Sequence, residues 1–255
     1  IMPYANGSFT LGGASPHFTN FSKASELLSY GGIDGSVVVN VRSGKYTEQA
    51  VMKFIRGGSL ANIVIFRGEN NNAALDTLSF NSTGSGINKY TTRRLDSAAF
   101  MSFKNITLQS ISQYSREVEF INKSRFITFD SCTFTSAYAN PTFAHVDSDV
   151  PAGLPPIDSN IVFTNNNFKN GGNHGINLPV KNALIKGNRF DGLYSNGNGQ
   201  AITITGAFTG VNSLVIDSNF VNNPQICTFS SGGVCYIYGY NSTGGISVTT
   251  TGTIN

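Results

Sequence analysis

The residues best equipped for chemistry gather in the middle of the chain. His145-Val146-Asp147-Ser148-Asp149 is followed by a Pro-rich loop, Pro151 to Pro156, and then by Asp158. Two or three carboxylates on one loop can hold Ca²⁺ through oxygen ligands or accept hydrogen bonds from sugar hydroxyls. The same residues also suit a solvated turn closed by Asx hydrogen bonds. His174, within Asn173-His174-Gly175, stands at a Gly-rich corner and reads either as a turn residue or as a general base. Tyr236, Tyr238 and Tyr240 alternate, so all three share one strand face. Exposed, they would be a stacking platform for sugar rings; buried, they would be terminal core. Cys227 and Cys235 flank Ser230-Ser231-Gly232-Gly233, a turn that brings them toward disulfide distance. Cys132, in a strand-like run, reads as a small buried apolar residue.

The elements that must position these groups are short strands. A segment recurs in which three or four apolar residues lead into a polar turn, often with Asn, and then a lone Phe. It appears as Phe126 to Phe129 then Phe134, as Ile161 to Phe163 then Asn166 and Phe168, and as Leu184-Ile185 then Asn188 and Phe190. Leu214 to Ile216 with Asn219 and Phe220 is a tighter copy, and Phe103 with Leu108 an earlier one. Taking Leu108, Phe134, Phe168, Phe190 and Phe220 as equivalent, the steps are 26, 34, 22 and 30 residues. A minimal coil with insertions of varying length is the signature of a solenoid. Upstream of each copy lies a second alternating strand: Val118-Glu119-Phe120, Ala144-His145-Val146, Ile176-Asn177-Leu178 and Ile202-Thr203-Ile204. The runs are short, alternating and bounded by Gly and Asn, which is a β pattern. Stacked coils would align Phe in a core column and Asn in a hydrogen-bonded ladder. They would also present an outward row of Glu119, His145, Asn177 and Thr203, about 4.8 Å apart. That row suits an extended polymer, although any β-helix needs polar outward residues.

The N-terminal region departs from the repeat. Residues 20–30 read as an amphipathic helix with Ser22 as N-cap, Phe21, Ala24, Leu27 and Leu28 on one face, and Gly31-Gly32 as the stop. Such a helix would cover the open end of the solenoid. The expected fold is therefore all-β, a right-handed parallel β-helix with a short N-terminal capping helix, forming one domain over residues 1–255. The strand-like run to the last residue suggests a segment of a longer polypeptide.

Composition narrows the function. Charged residues make up 12% of the chain, against roughly 25% in an average domain. The 17 basic and 14 acidic residues are scattered, and the densest basic spot is Arg93-Arg94. Nucleic-acid binding needs a basic stripe that is absent here. No apolar run approaches the roughly 20 residues of a membrane span, and the opening Ile1-Met2-Pro3-Tyr4 carries no leader pattern, so any signal peptide is expected to have been removed or to lie upstream.

Phe9-Thr10-Leu11-Gly12-Gly13, Phe18 to Phe21, and Gly31-Gly32-Ile33-Asp34-Gly35 continuing through Gln49 closely resemble the opening of β-helix domains in large Bacteroidetes surface proteins. Asn62-Ile63-Val64-Ile65-Phe66-Arg67-Gly68-Glu69 continues the likeness, and the remainder resembles generic repeats of the pectin-lyase-like superfamily. The resemblance implies secretion or display at the cell surface, often by type IX export, beside adhesive or carbohydrate-directed domains of the same polypeptide. The polygalacturonase motifs of that superfamily are not matched: Asn173-His174-Gly175 and Leu184-Ile185-Lys186 are faint echoes.

The expected function is a non-catalytic surface module, adhesive or polysaccharide-binding, that doubles as a rigid spacer. Its expected ligand residues are Glu119, His145, Asp147, Asp149, His174 and Asn177, with a polysaccharide or cell-surface glycan as partner. No cofactor is expected, Ca²⁺ at the Asp147–Asp149 loop being the exception to test. The alternatives are a polysaccharide lyase or glycoside hydrolase acting on an extended acidic glycan, and a purely structural filament segment.

Overall fold

The computed structural model describes residues 4–82, 93–112, 116–137, 144–148, 158–171, 174–192, 200–206, 213–222 and 246–250. These residues form a right-handed parallel β-helix with three sheets, each coil giving one strand to each sheet in turn. One coil shows the pattern: Arg125–Asp130 in the first sheet, Thr133–Ser136 in the second and Val146–Ser148 in the third. Every pairing is parallel, and each strand pairs with its counterparts one coil above and below.

The corner between first and second sheets explains the Asn-rich sequence. Asn105, Ser131, Asn165, Gly187 and Ser218 occupy it in successive coils, all with φ between +52° and +66°. This left-handed region is one that Asn and Gly enter at little cost. The next residue points inward and builds the expected ladder. Asn166 Nδ2 donates to Asn188 Oδ1 at 2.9 Å, and Asn188 Nδ2 to Asn219 Oδ1 at 2.9 Å. Cys132 holds the same place one coil earlier, where its backbone N–H donates to Asn166 Oδ1; it is buried, as expected.

Two aromatic columns fill the interior. Phe66, Phe103, Phe129 and Phe163 stack from the first sheet at centroid spacings of 5.5, 5.0 and 5.3 Å. Phe134, Phe168 and Phe190 stack from the second at 4.5 and 4.6 Å. Phe220 does not extend the second column. The ladder holds Asn219 level with Asn188, so Phe220 pairs with Arg189 and Val221 with Phe190. Val221 is the buried residue, and the Phe220 ring instead carries the Arg189 guanidinium at 4.4 Å.

The capping helix spans Phe21–Gly31, with Phe21, Ala24 and Leu28 buried and Leu27 only partly so. Its N-cap is Asn20, not Ser22: Asn20 Oδ1 accepts from Lys23 N at 2.8 Å. The carboxylate of Glu48, from the first coil, accepts from the backbone N–H of Phe21 and Ser22. Ser22 thus lies within the first turn, its hydroxyl turned to Glu48. Ser25 Oγ donates to Val51 O at 2.7 Å and ties the helix to Ala50–Lys53, the first strand of the third sheet. That strand's outer edge is thereby covered, which removes a site of edge pairing.

Candidate functional site

The third sheet carries the sequence-predicted cluster. Its strands Arg93–Asp96, Val118–Ile121, Val146–Ser148, His174–Leu178 and Gln200–Gly206 lie side by side. Alternation turns Val118, Val146, Ile176 and Ile202 inward, and register aligns Arg94, Glu119, Asp147, Asn177 and Thr203 on the outer side. Asp147, not His145, is therefore the row's member between Glu119 and Asn177. Val118 pairs with Val146 rather than Ala144, a shift of two residues that preserves parity and changes the neighbour.

These side chains close on one another. Glu119 Oε2 meets Arg94 Nε at 3.0 Å, and Glu119 Oε1 meets a terminal nitrogen of Arg116 at 3.2 Å. The other terminal nitrogen of Arg116 reaches Asp147 Oδ2 at 2.8 Å. Asp147 Oδ1 accepts from Asn177 Nδ2 at 3.0 Å and from Ser148 N at 2.9 Å. One guanidinium thus bridges carboxylates of adjacent coils, and all four carboxylate oxygens have partners. The line is sheltered, with Glu119 only 1% and Asp147 8% exposed. Low local dielectric strengthens such pairs and makes the loss of one partner costly.

His145 sits at the corner before its strand, fully buried against Phe168. Its Nδ1 lies 2.8 Å from Glu117 Oε2, while Glu117 Oε1 accepts from Ser110 Oγ at 2.6 Å. The hydroxyl is bound to the carboxylate and not to the imidazole, so this is not a nucleophile–base arrangement. His174 lies two coils away from Glu119, its Nδ1 3.1 Å from Thr203 Oγ1, and burial holds its pKa below the usual histidine value. Asp158 is separate from Asp147. Its fully buried carboxylate accepts from Ser124 N at 2.8 Å and from Ser148 Oγ, an inward residue, at 2.9 Å.

Asp149, Cys227, Cys235 and Tyr236, Tyr238 and Tyr240 lie outside the described residues. The Asp147 carboxylate is committed to Arg116, Asn177 and Ser148, so it does not fit the oxygen cage that Ca²⁺ requires. Among the described residues no three His, Cys, Asp or Glu side chains gather as metal ligands, and no helix is long and apolar enough to cross a membrane. Sequence reasoning missed Arg94, Arg116 and Glu117. A signal was available in Arg93-Arg94: two adjacent residues of one strand must face opposite sides, so one arginine had to enter the core and the other join the outward row.

No family model matches the chain, and no curated protein matches it in sequence. Among solved structures it is similar to the deglycosylated pectin methylesterase of Aspergillus niger, with 11% identity and a TM-score of 0.54 over 99% of this chain and 87% of that one. The same enzyme in penultimately deglycosylated form gives 11% and 0.53, covering 100% and 87%. Escherichia coli YbhC gives 10% and 0.50, covering 100% and 86%. At these identities the likeness is one of fold alone, a parallel β-helix.

Proposed function

We propose that the chain is a polysaccharide-binding β-helix of the cell surface or secreted space, which holds an extended glycan without cleaving it and spaces neighbouring domains of its polypeptide. The observation that carries the non-catalytic reading is the closure of Glu119 and Asp147, whose four oxygens are engaged by Arg94, Arg116, Asn177 and the Ser148 amide. A general acid or base must bring its oxygen within hydrogen-bond reach of a substrate atom, and here each oxygen of the two sheltered carboxylates is already held by a neighbouring donor or guanidinium. The glycan reading is supported by a fold shared with an enzyme named for pectin. It is also supported by outward positions that repeat once per coil, about 4.8 Å apart, a step comparable to one ring of an extended sugar chain.

One observation favours a second reading. Two carboxylates of adjacent coils share a single guanidinium, an arrangement that becomes a hydrolytic pair if Arg116 withdraws. The protein should be incubated with methyl-esterified and de-esterified pectin while methanol release, reducing ends and unsaturated-product absorbance are followed, beside affinity electrophoresis in polysaccharide gels. Retardation without product is expected. Product formation that Glu119→Gln or Asp147→Asn abolishes would establish catalysis by the pair, unsaturated product marking a lyase and methanol or reducing ends without it a hydrolase; neither retardation nor product would leave only a structural spacer.

A further inference from the structure

The first sheet's outer face carries a groove remote from the ionic line. Ile65, Ser102, Thr128, Val162, Leu184 and Val215 follow one another along it, one per coil. Phe100 and Phe126 form one wall, their rings 4.9 Å apart and 8° from parallel. Both residues have left-handed backbones, at φ +58° and +53°. The equivalent residue of the next coil is Asn160, also left-handed at φ +56°, a conformation that suits Asn and is an outlier for a bulky aromatic. Strain held against local preference marks functional positions.

A second observation indicates what the groove takes. Ser102 lines it, is only 6% exposed, and its hydroxyl has no hydrogen-bond partner among the described residues. A buried hydroxyl requires a polar partner, and an apolar side chain of another protein would not supply one. No charged side chain lines the groove, which continues past Asn160 and Asn182 to Leu184 and Val215. In the row beside it Lys104 pairs with Asp130 and Lys186 with Asp217, while Arg67 is held by the neutral Asn40; at the wall the Arg125 guanidinium lies 6.0 Å from the Phe100 ring centre. The strip is narrow: strands about 4.8 Å apart and about 7 Å of width per outward residue give about 200 Å². A stable protein interface needs about 800 Å² per partner.

We infer that this groove binds an uncharged glycan chain, its C–H faces against Phe100 and Phe126 and one hydroxyl paired with Ser102, whose buried Oγ turns to the groove by rotation about χ1. This rests on the polysaccharide-binding reading and adds the surface and the ligand class. The decisive variant is the double substitution Phe100→Asn and Phe126→Asn, because Asn accepts the left-handed backbone that it already holds at Asn160. Native protein and variant should be run in gels of galactomannan and hydroxyethyl cellulose, with polygalacturonate as the charged comparison. Expected are retardation of the native chain by a neutral polymer, at least tenfold weaker binding by the variant, and an unchanged or raised Tm. Ser102→Ala, which keeps both rings, should also weaken binding.

Equal retardation of native protein and variants, or retardation by polygalacturonate alone, would overturn the groove assignment and leave the polysaccharide reading standing. No retardation by any polymer would remove both. A native dimer that the double variant dissociates in sedimentation would overturn the inference by showing a second copy in the groove.

Discussion

At the scale of single residues, Arg93 departs furthest from ordinary burial rules. It is fully buried, none of its guanidinium nitrogens has a hydrogen-bond partner among the described residues, and it lies 3.9 Å from the Phe103 ring centre and 4.8 Å from that of Phe21. Burial pushes its pKa down to about 9. A base whose folded pKa is depressed binds fewer protons folded than unfolded, so stability rises with pH above about 9 and the full burial cost applies at pH 7. Arg93→Met keeps the volume and removes the charge. It should raise unfolding stability at pH 7 by about 1–4 kcal/mol in denaturant titrations; a loss would mean that the aromatic faces outweigh the desolvation. Asp158 has the opposite linkage. Burial raises its pKa to about 6, against the opposing hydrogen bonds of Ser148 and Ser124. Its protonated form is favoured on folding, so its contribution is present below the unfolded value of 3.8 and is lost as pH rises through about 6. Relative to the native chain, Asp158→Asn should therefore gain stability between pH 4 and pH 7, on the order of 2 kcal/mol. A pH-independent difference would show that the carboxyl does not titrate in that window.

At the scale of elements, the ladder and the columns hold coil to coil. Asn188 donates to Phe163 O and Asn219 Oδ1, and accepts from the backbone and side-chain N–H of Asn166. Asn188→Ala strands several buried donors and acceptors at once, each worth about 1–3 kcal/mol, and should cost at least about 3 kcal/mol. A cost below about 1 kcal/mol would show that water replaces the ladder. Phe163 is fully buried and stacked on Phe129. Phe163→Ala should cost about 3–5 kcal/mol, and a cost under about 1 kcal/mol would contradict the register of the column. The capping helix draws its stability from elsewhere in the chain, since Glu48 supplies acceptors to two of its first N–H groups. A local sequence pattern identifies the helix and its stop at Gly32, but a carboxylate 26 residues from Ser22 is invisible to it. This is why Asn20 and Glu48 share a role that the local pattern assigns to Ser22.

At the scale of the molecule, faces of one rod carry different chemistry. The third sheet's outer side is a closed ionic line, and the first sheet's carries an uncharged groove walled by aromatic rings beside a row of charged residues. Far-ultraviolet circular dichroism should be dominated by β signal, because helix among the described residues is confined to Phe21–Gly31 and a short turn at Ala73–Leu75. A helical fraction of a third or more would exclude the solenoid.

The amino-acid sequence by itself determined the repeat, the alternation of strand faces, a stacked Phe core, the Asn ladder and the helix at residues 20–30. All of these follow from periodicity within a few residues, which is what side-chain alternation and turn preference respond to. Tertiary structure alone decided which residue of one coil meets which of the next. Parity places both His145 and Asp147 on the outer side, and only the pairing of Val118 with Val146 puts Asp147 beside Glu119 and withdraws His145 to Glu117. The same holds where Val221 replaces Phe220 in the second column. It holds again where Phe126, which leads the apolar run Phe126 to Phe129, turns outward on a left-handed backbone to stack on Phe100. Coils of unequal length leave inter-coil register undetermined by any local pattern, and that register is fixed by hydrogen bonds between residues some 22 to 37 positions apart.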